Sequence, residues 1–323
     1  MRSRAAAYPL IAVLGWGVMF PVLASALNRV DPLNLTTARY LLAAAVVLVA
    51  ILLLREGVDA LRPGARMVEV VVLGVVGFAG FNVLTNLALE HAAPQQVSLF
   101  VATTPVITQL VRWARDGVRP KPLLLGLSLV ALLGVGLVIT RGSLAGLGQF
   151  GVGGLMMIGA VLGWGIYTHG ASRFGGWSPL RFTTLTALAG TAAMLAASIG
   201  ADAVGWQHAP AAADLVAVTP QLAYAVIVGA VIAVLAWNTG VQRLGAANAA
   251  LFMNLVPVTT FAVQIARGYR PEPVELVGAA VTIAALVAAN LANRPRTPAS
   301  SLPGASAVTD PIAVTDRAAV SAR

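Results

Sequence analysis

One arginine, a few amides and a set of aromatic residues stand inside long apolar runs of the chain, where polar chemistry is costly. Arg39 is the only charge well inside such a run, and Tyr40 follows it. A guanidinium placed there could grip a carboxylate through two parallel hydrogen bonds. Its long stem could equally carry the charge to the membrane surface, or to a loop acid such as Asp31 or Glu90. Asn82 and Asn86 lie four residues apart and share one helix face, from which both could line a cavity or bond to a neighbouring helix. Gln96 and Asn254 add amides to two further runs, together with Ser98, Thr103, Thr104 and Gln264. The hydroxyls can instead bond back to their own helix.

Trp16, Trp164, Tyr167 and Trp237 are candidates to wall a cavity for an apolar or aromatic solute, or to serve as packing. Trp113, Trp177 and Trp206 fall near the ends of runs, as an interfacial belt does. Pro105 and Pro257 each interrupt a run, and each should free a carbonyl four residues earlier, at Val101 and Met253. A kink there could be a hinge, a cavity wall or static packing. Glu90 beside His91 is the best available proton site, because no acid lies in the middle of any run.

Other chemistry lacks its residues. No glycine-rich phosphate loop ending in Lys-Ser/Thr occurs, which argues against ATP-driven transport by this chain. His91, His169 and His208 are scattered and form no metal spacing, so neither metal nor cofactor is expected. No Ser-His-Asp arrangement suggests an enzyme. Cysteine is absent, which leaves the redox compartment unread.

The elements that must position these residues follow from composition. The 323 residues are 58% hydrophobic and 10% charged, against about 25% charged in an ordinary soluble domain. That excludes a soluble enzyme, a disordered chain and a disulfide-rich secreted domain. Crossing ~30 Å of hydrocarbon takes about 20 apolar residues in a helix. Ten windows qualify: Ala5–Asn28, Leu33–Leu54, Val70–Leu89, Ala92–Val111, Pro122–Thr140, Gly142–Ser172, Phe182–Ala201, Leu215–Gln242, Leu244–Ala266 and Leu276–Asn293. Asp31-Pro32 and Ser178-Pro179 read as N-cap and first helical turn, and Pro94 and Pro122 as further helix starts. The first window, with Arg2 and Arg4 before it and Ala24-Ser25-Ala26 after it, also imitates a signal peptide. Residues 294–323 read as a disordered cytoplasmic tail.

The net charge of +9 is a matter of topology rather than of nucleic-acid binding, since little solvated surface is available. With a cytoplasmic N-terminus and ten crossings, sixteen basic residues fall inside and four, Arg29, Arg141, Arg267 and Arg270, fall outside. Both termini are therefore expected in the cytoplasm.

The two halves repeat each other. Leu14-Gly15-Trp16-Gly17 returns as Leu162-Gly163-Trp164-Gly165, and Pro32…Thr36-Thr37 as Pro179…Thr183-Thr184. Gly77, Asn86, Pro105 and Gly126 return as Gly229, Asn238, Pro257 and Gly278. Five crossings per copy invert the second copy, which is how many secondary transporters are built. The expected fold is an all-α polytopic membrane protein of ten transmembrane helices, with one repeat at 1–141 and the other at 142–293. In the first copy's terms, Thr186 stands where Arg39 does and Val234 where Asn82 does, so Arg39 and Asn82 are free of symmetric scaffold duty.

On these features the chain resembles the EamA family of the drug/metabolite transporter superfamily, over about residues 8–292. The resemblance is carried by Gly15-Trp16-Gly17 and Gly163-Trp164-Gly165, by the Pro105 and Pro257 windows, and by Ala236-Trp237-Asn238 through Leu244-Gly245-Ala246. It departs where family members often carry an acid after the proline-bearing helices; here those places hold Asp116 in a basic loop and Gly268-Tyr269. The resemblance implies a bacterial inner-membrane permease, commonly an exporter of amino acids or other small metabolites. Sugars, nucleotides or purine-like metabolites are the alternative cargo, and a lipid flippase or membrane-embedded enzyme the remaining class. The partners expected are a small organic solute and membrane lipids, with a homodimer left open and no nucleic acid. Arg39 and the missing central acids favour neutral, zwitterionic or anionic solutes over cations.

Overall fold

A computed structural model describes residues 2–53, 56–141 and 147–293; the expected tail at 294–323 lies outside them. Every regular element among the described residues is helical, as hydrocarbon requires of a chain that must bond its own backbone. The helices are α1 (Arg2–Ala26), α2 (Pro32–Leu53), α3 (Met67–Leu73), α4 (Phe81–His91), α5 (Pro94–Val101), α6 (Thr104–Asp116), α7 (Pro122–Thr140) and α8 (Leu147–Ala171). They continue as α9 (Pro179–Ala203), α10 (Ala212–Ala217), α11 (Thr219–Tyr224), α12 (Ala233–Leu244), α13 (Ala246–Ala250), α14 (Leu255–Ala266) and α15 (Pro273–Asn293). Joined end to end where they abut, they give, among the described residues, eight rods long and apolar enough to cross a membrane. Leu125–Val138 in α7 and Pro273–Ala289 in α15 are shorter apolar stretches.

Prolines open α2, α5, α7 and α9 where the sequence places them, because the missing N–H costs nothing in a first turn. The Ser178 hydroxyl accepts from the Arg181 amide at 2.9 Å and caps α9. Asp31 works differently: its carboxylate accepts from the His208 amide at 2.7 Å and so ties two loops rather than capping α2 with its side chain.

Two rods contain a stretch of wider π-helix, Gly74–Gly80 between α3 and α4 and Ala225–Ile232 between α11 and α12. The repeat partners Gly77 and Gly229 lie one in each. Packing follows the same register with the halves exchanged. Helix α1 packs on α12 and α14, while α8 packs on α4 and α6; α2 pairs with α9, and α7 with α15.

Small residues set these approaches. A Cβ on Gly77 would run into the Tyr167 side chain, and one on Gly74 would meet the Thr186 carbonyl at 2.5 Å. Gly77→Val is therefore expected to destabilise the fold by about 1–3 kcal/mol through overpacking, read as a lower unfolding temperature in detergent. The α7–α15 pair closes on Gly134 and Gly278, each facing the other's carbonyl.

Loops that alternate along the chain segregate to two ends. At one end Arg66 bonds the Arg173 carbonyl, Arg181 bonds the Arg62 carbonyl, Arg243 lies over the Tyr8 ring, and Lys121 reaches the Ala292 carbonyl. At the other, Asp31 meets His208 and Arg141 meets Glu272. The first group is the one assigned to the cytoplasm from sequence.

Candidate functional site

Helix α1 presents Trp16, Met19 and Phe20 on one face, at i, i+3 and i+4. They wall a central cavity with Tyr40, Phe81, Asn82, Val101, Trp164, Val234 and Met253. The cavity measures about 20 Å³, room for one water-sized sphere. A metabolite therefore enters only when the walls part. No acidic residue lines it.

The aromatic wall is built edge to face. Trp16 meets Trp164 at 5.3 Å with planes at 89°, Trp237 stands 5.5 Å from Trp16, and Trp164 stacks on Tyr167 at 5.0 Å. The Trp16 indole donates to the Gly229 carbonyl at 2.9 Å, an acceptor inside the second π stretch. Trp237 and Tyr167 are fully buried behind the wall rather than on it.

Arg39 is buried to 1% exposure. One terminal nitrogen donates to the Asn82 carbonyl oxygen and the other approaches the Met19 sulfur at 3.5 Å. Its guanidinium lies 4.4 Å from the Tyr40 ring centre. Neither alternative from sequence holds: the side chain does not reach the surface, and among the described residues no carboxylate pairs with it. Asp31 faces His208, and Glu90 is exposed. Arg39 does not itself line the cavity but touches three wall residues, Met19, Tyr40 and Asn82, from behind; Asn82 also donates to the Phe78 carbonyl at 2.7 Å.

Several buried polar groups here have no partner: Arg39 Nε, the Trp164 indole nitrogen and both amide atoms of Asn254. Asn254 follows the wall residue Met253, at the end of a 3-10 turn, Leu251–Asn254. Each orphaned group costs ~1–3 kcal/mol in a dry interior; three of these four atoms are donors, and the Asn254 amide oxygen is an acceptor.

Asn86 and Asn238, candidate cavity residues whose match between the two halves also favours a scaffold role, lie away from the cavity. Asn86 donates to the Thr36 hydroxyl at 2.6 Å, and Asn238 to Thr183 and Tyr167 at 2.8 Å each. Thr36 and Thr183 are themselves repeat partners, so both copies use one Asn–Thr clip between helices. Gln96 is likewise not a wall residue; its side chain accepts from the Ala93 amide at 3.1 Å and caps α5. The interior amide is its neighbour Gln95, 2% exposed, which Gln264 approaches at 3.4 Å. Glu90 and His91 are exposed at the end of α4 and do not line the cavity.

Helices break before both prolines. Turns at 102–103 separate α5 from α6, and the freed Val101 carbonyl accepts from the Thr104 hydroxyl at 2.5 Å. Before Pro257 the 3-10 turn intervenes, and the Leu255 amide bonds the Met253 carbonyl. Val101 and Met253 are both wall residues, so each break sits against the cavity.

Sequence reasoning missed a buried carboxylate. Glu275, 0% exposed, accepts from the Tyr269 hydroxyl at 2.6 and 2.7 Å and from the Glu272 amide at 2.9 Å, with Arg141 at 3.6 Å. Burial, then the bond to Glu275, push the Tyr269 phenol above its ordinary range, so it remains a donor at neutral pH. Glu275 stands in the first turn of α15, which gave it the look of an ordinary helix-end acid.

The model of the EamA-like transporter family matches residues 3–140 and 151–291. The chain is 32% identical over 291 residues to "Uncharacterized transporter YrdR" of Bacillus subtilis, covering 88% of this chain and 90% of that one. It is 26% identical over 306 residues to "Probable terminal-alkyne amino-acid exporter" of Streptantibioticus cattleyicolor, covering 94% and 98%. A solved crystal structure superposes with a TM-score of 0.64 at 21% identity, covering 90% of this chain and 98% of that one, a likeness of fold alone.

Proposed function

The chain belongs to the EamA-like transporter family, and from that premise we propose that it is an alternating-access exporter of amino acids or closely related metabolites bearing a carboxylate. It is a multi-pass membrane transporter for a small solute. In the proposed arrangement ten crossings form two inverted repeats, 1–141 and 142–293, in the inner membrane with both termini cytoplasmic. The exchanged packing of α1 and α8 and the paired Asn–Thr clips support the inversion.

One observation carries the substrate class: a buried arginine with no acid partner among the described residues, bonded to the amide that lines an aromatic cavity. A charge buried without a counter-ion is expensive. A substrate carboxylate supplies the counter-ion and the acceptors that Arg39, Trp164 and Asn254 lack. The tryptophans then receive an apolar side chain. A cationic substrate would meet the same guanidinium with repulsion and find no acid to offset it. The relative named as an amino-acid exporter agrees with this reading.

The test is efflux from liposomes holding the purified protein and a panel of amino acids, organic acids and quaternary ammonium ions. Amino acids or organic acids should leave faster than from protein-free vesicles. Transport of quaternary cations alone would sink the proposal.

A further inference from the structure

Two vestibules flank the central cavity. One, about 330 Å³, is lined by Pro21, Ser25, Asn28, Gln264, Arg267 and Tyr269. The other, about 530 Å³, lies among Ala65, Val72, Arg115, His169, Gly170 and Arg173. They are counterparts in the repeat. The offset that carries Trp16 onto Trp164 carries Pro21 onto His169 and Ser25 onto Arg173, and the offset that carries Pro105 onto Pro257 carries Arg115 onto Arg267.

Both are bridged by polar contacts, the larger one by Arg66 on the Arg173 carbonyl at 3.0 Å and by Asp116 3.5 Å from His169, and they differ in the state of the paired arginines. In the smaller vestibule the Arg267 guanidinium donates to the Pro21 carbonyl at 3.2 Å and so bridges α14 to α1. The loop behind it is pinned by Tyr269 on the buried Glu275. In the larger vestibule Arg115 is exposed and has neither hydrogen bond nor ion pair among the described residues. The carbonyl of His169, the counterpart of Pro21, takes the Ser172 hydroxyl at 2.6 Å instead.

Building on the inverted-repeat reading, we infer that Arg267 and Arg115 are a pair of alternating latches. Arg267 closes the outer vestibule on the Pro21 carbonyl in this arrangement. Arg115 closes the inner vestibule on the His169 carbonyl in the opposite one. Exchange of one charge-assisted bond for its counterpart leaves the two arrangements close in energy, as a two-state carrier requires. Tyr269–Glu275 has no counterpart, because Gly117 stands where Tyr269 would. It pins the loop that carries Arg267 and so favours the latched outer vestibule.

The chain has no cysteine, so one introduced cysteine is a unique probe. Ser25 and Ile166 are half-buried linings of the two vestibules, so Ser25→Cys reports on the outer and Ile166→Cys on the inner, each in the full-length protein in sealed vesicles with a membrane-impermeant maleimide. Losing a charged hydrogen bond should move the equilibrium about tenfold. Arg267→Gln should therefore raise labelling at Ser25→Cys about tenfold and lower it at Ile166→Cys, with Arg267→Lys in between. Arg115→Gln should lower labelling at Ser25→Cys. Unchanged labelling in Arg267→Gln, or a rise at both cysteines together as a loosened fold would give, overturns the latch. If both cysteines label from the same side of the vesicle, the inverted-repeat reading fails and the latch with it.

Discussion

Arg39→Met should lower transport of a carboxylate-bearing substrate about a hundredfold while leaving the protein folded at least as well as before. The two halves of that result have one cause. Arg39 is desolvated, bonded to Asn82 and the Met19 sulfur, and without an acid. In the unliganded protein the charge is a cost, so an apolar side chain of similar length is neutral or stabilising. With substrate bound, the same charge meets a carboxylate, and losing one member of a buried hydrogen-bonded charge pair costs ~2–5 kcal/mol. At ~1.4 kcal/mol per tenfold, the middle of that range is on the order of a hundredfold. Arg39→Lys should recover little, because an ammonium cannot bridge Asn82 and a carboxylate with a planar fork. Liposome efflux and thermal unfolding of the same preparations check both halves. A variant that transports normally removes Arg39 from the substrate site; one that unfolds early makes it structural.

Trp164→Ala has the opposite signature. Its indole touches Trp16, Phe81, Tyr167 and Trp237 at centroid distances of 5.0–6.0 Å and is 3% exposed. Truncation leaves a void beside a cavity that now holds about 20 Å³. Between membrane helices the loss is mainly of dispersion contacts rather than of water exclusion, and about 3 kcal/mol of stability should go. The unfolding temperature should fall. Where the protein still folds, preference should shift towards substrates with larger side chains, because the wall has retreated while Arg39 and Asn82 stay in place. Trp164→Phe keeps an aromatic edge against Trp16 and should keep most of both properties. An unchanged unfolding temperature in Trp164→Ala would show that the aromatic cluster contributes little to packing.

How far the site could be read from sequence differs residue by residue. Asn82 was legible, because it is polar, buried in an apolar run and unmatched by its repeat partner Val234. Asn86 and Asn238 are equally polar and buried, but their match between the two halves favours a scaffold role, and the structure turns both onto threonines. Gln95 and Gln96 are indistinguishable as a pair, and only the helix phase after Pro94 decides which caps and which faces inward. Met19, Phe20 and Phe81 drew no attention as ordinary apolar residues; the spacing of Trp16, Met19 and Phe20 on one helical face would have found the first two. Glu275 was hidden by its place in a first helical turn, where acids are common for reasons of the helix dipole alone.

Sequence by itself determined the solvent of this protein, its helical class and the breaks before Pro105 and Pro257. Those follow from local quantities: hydropathy over a helix length and proline stereochemistry. Tertiary structure alone decided that, among the described residues, Arg39 has no acid partner, that three tryptophans from three helices converge, and that Arg267 is bonded while Arg115 is not. These depend on which faces of distant helices meet. A wider π turn or a glycine contact rotates such a face without leaving a periodic mark in the sequence, and the partners of a buried charge are set only once those faces have packed.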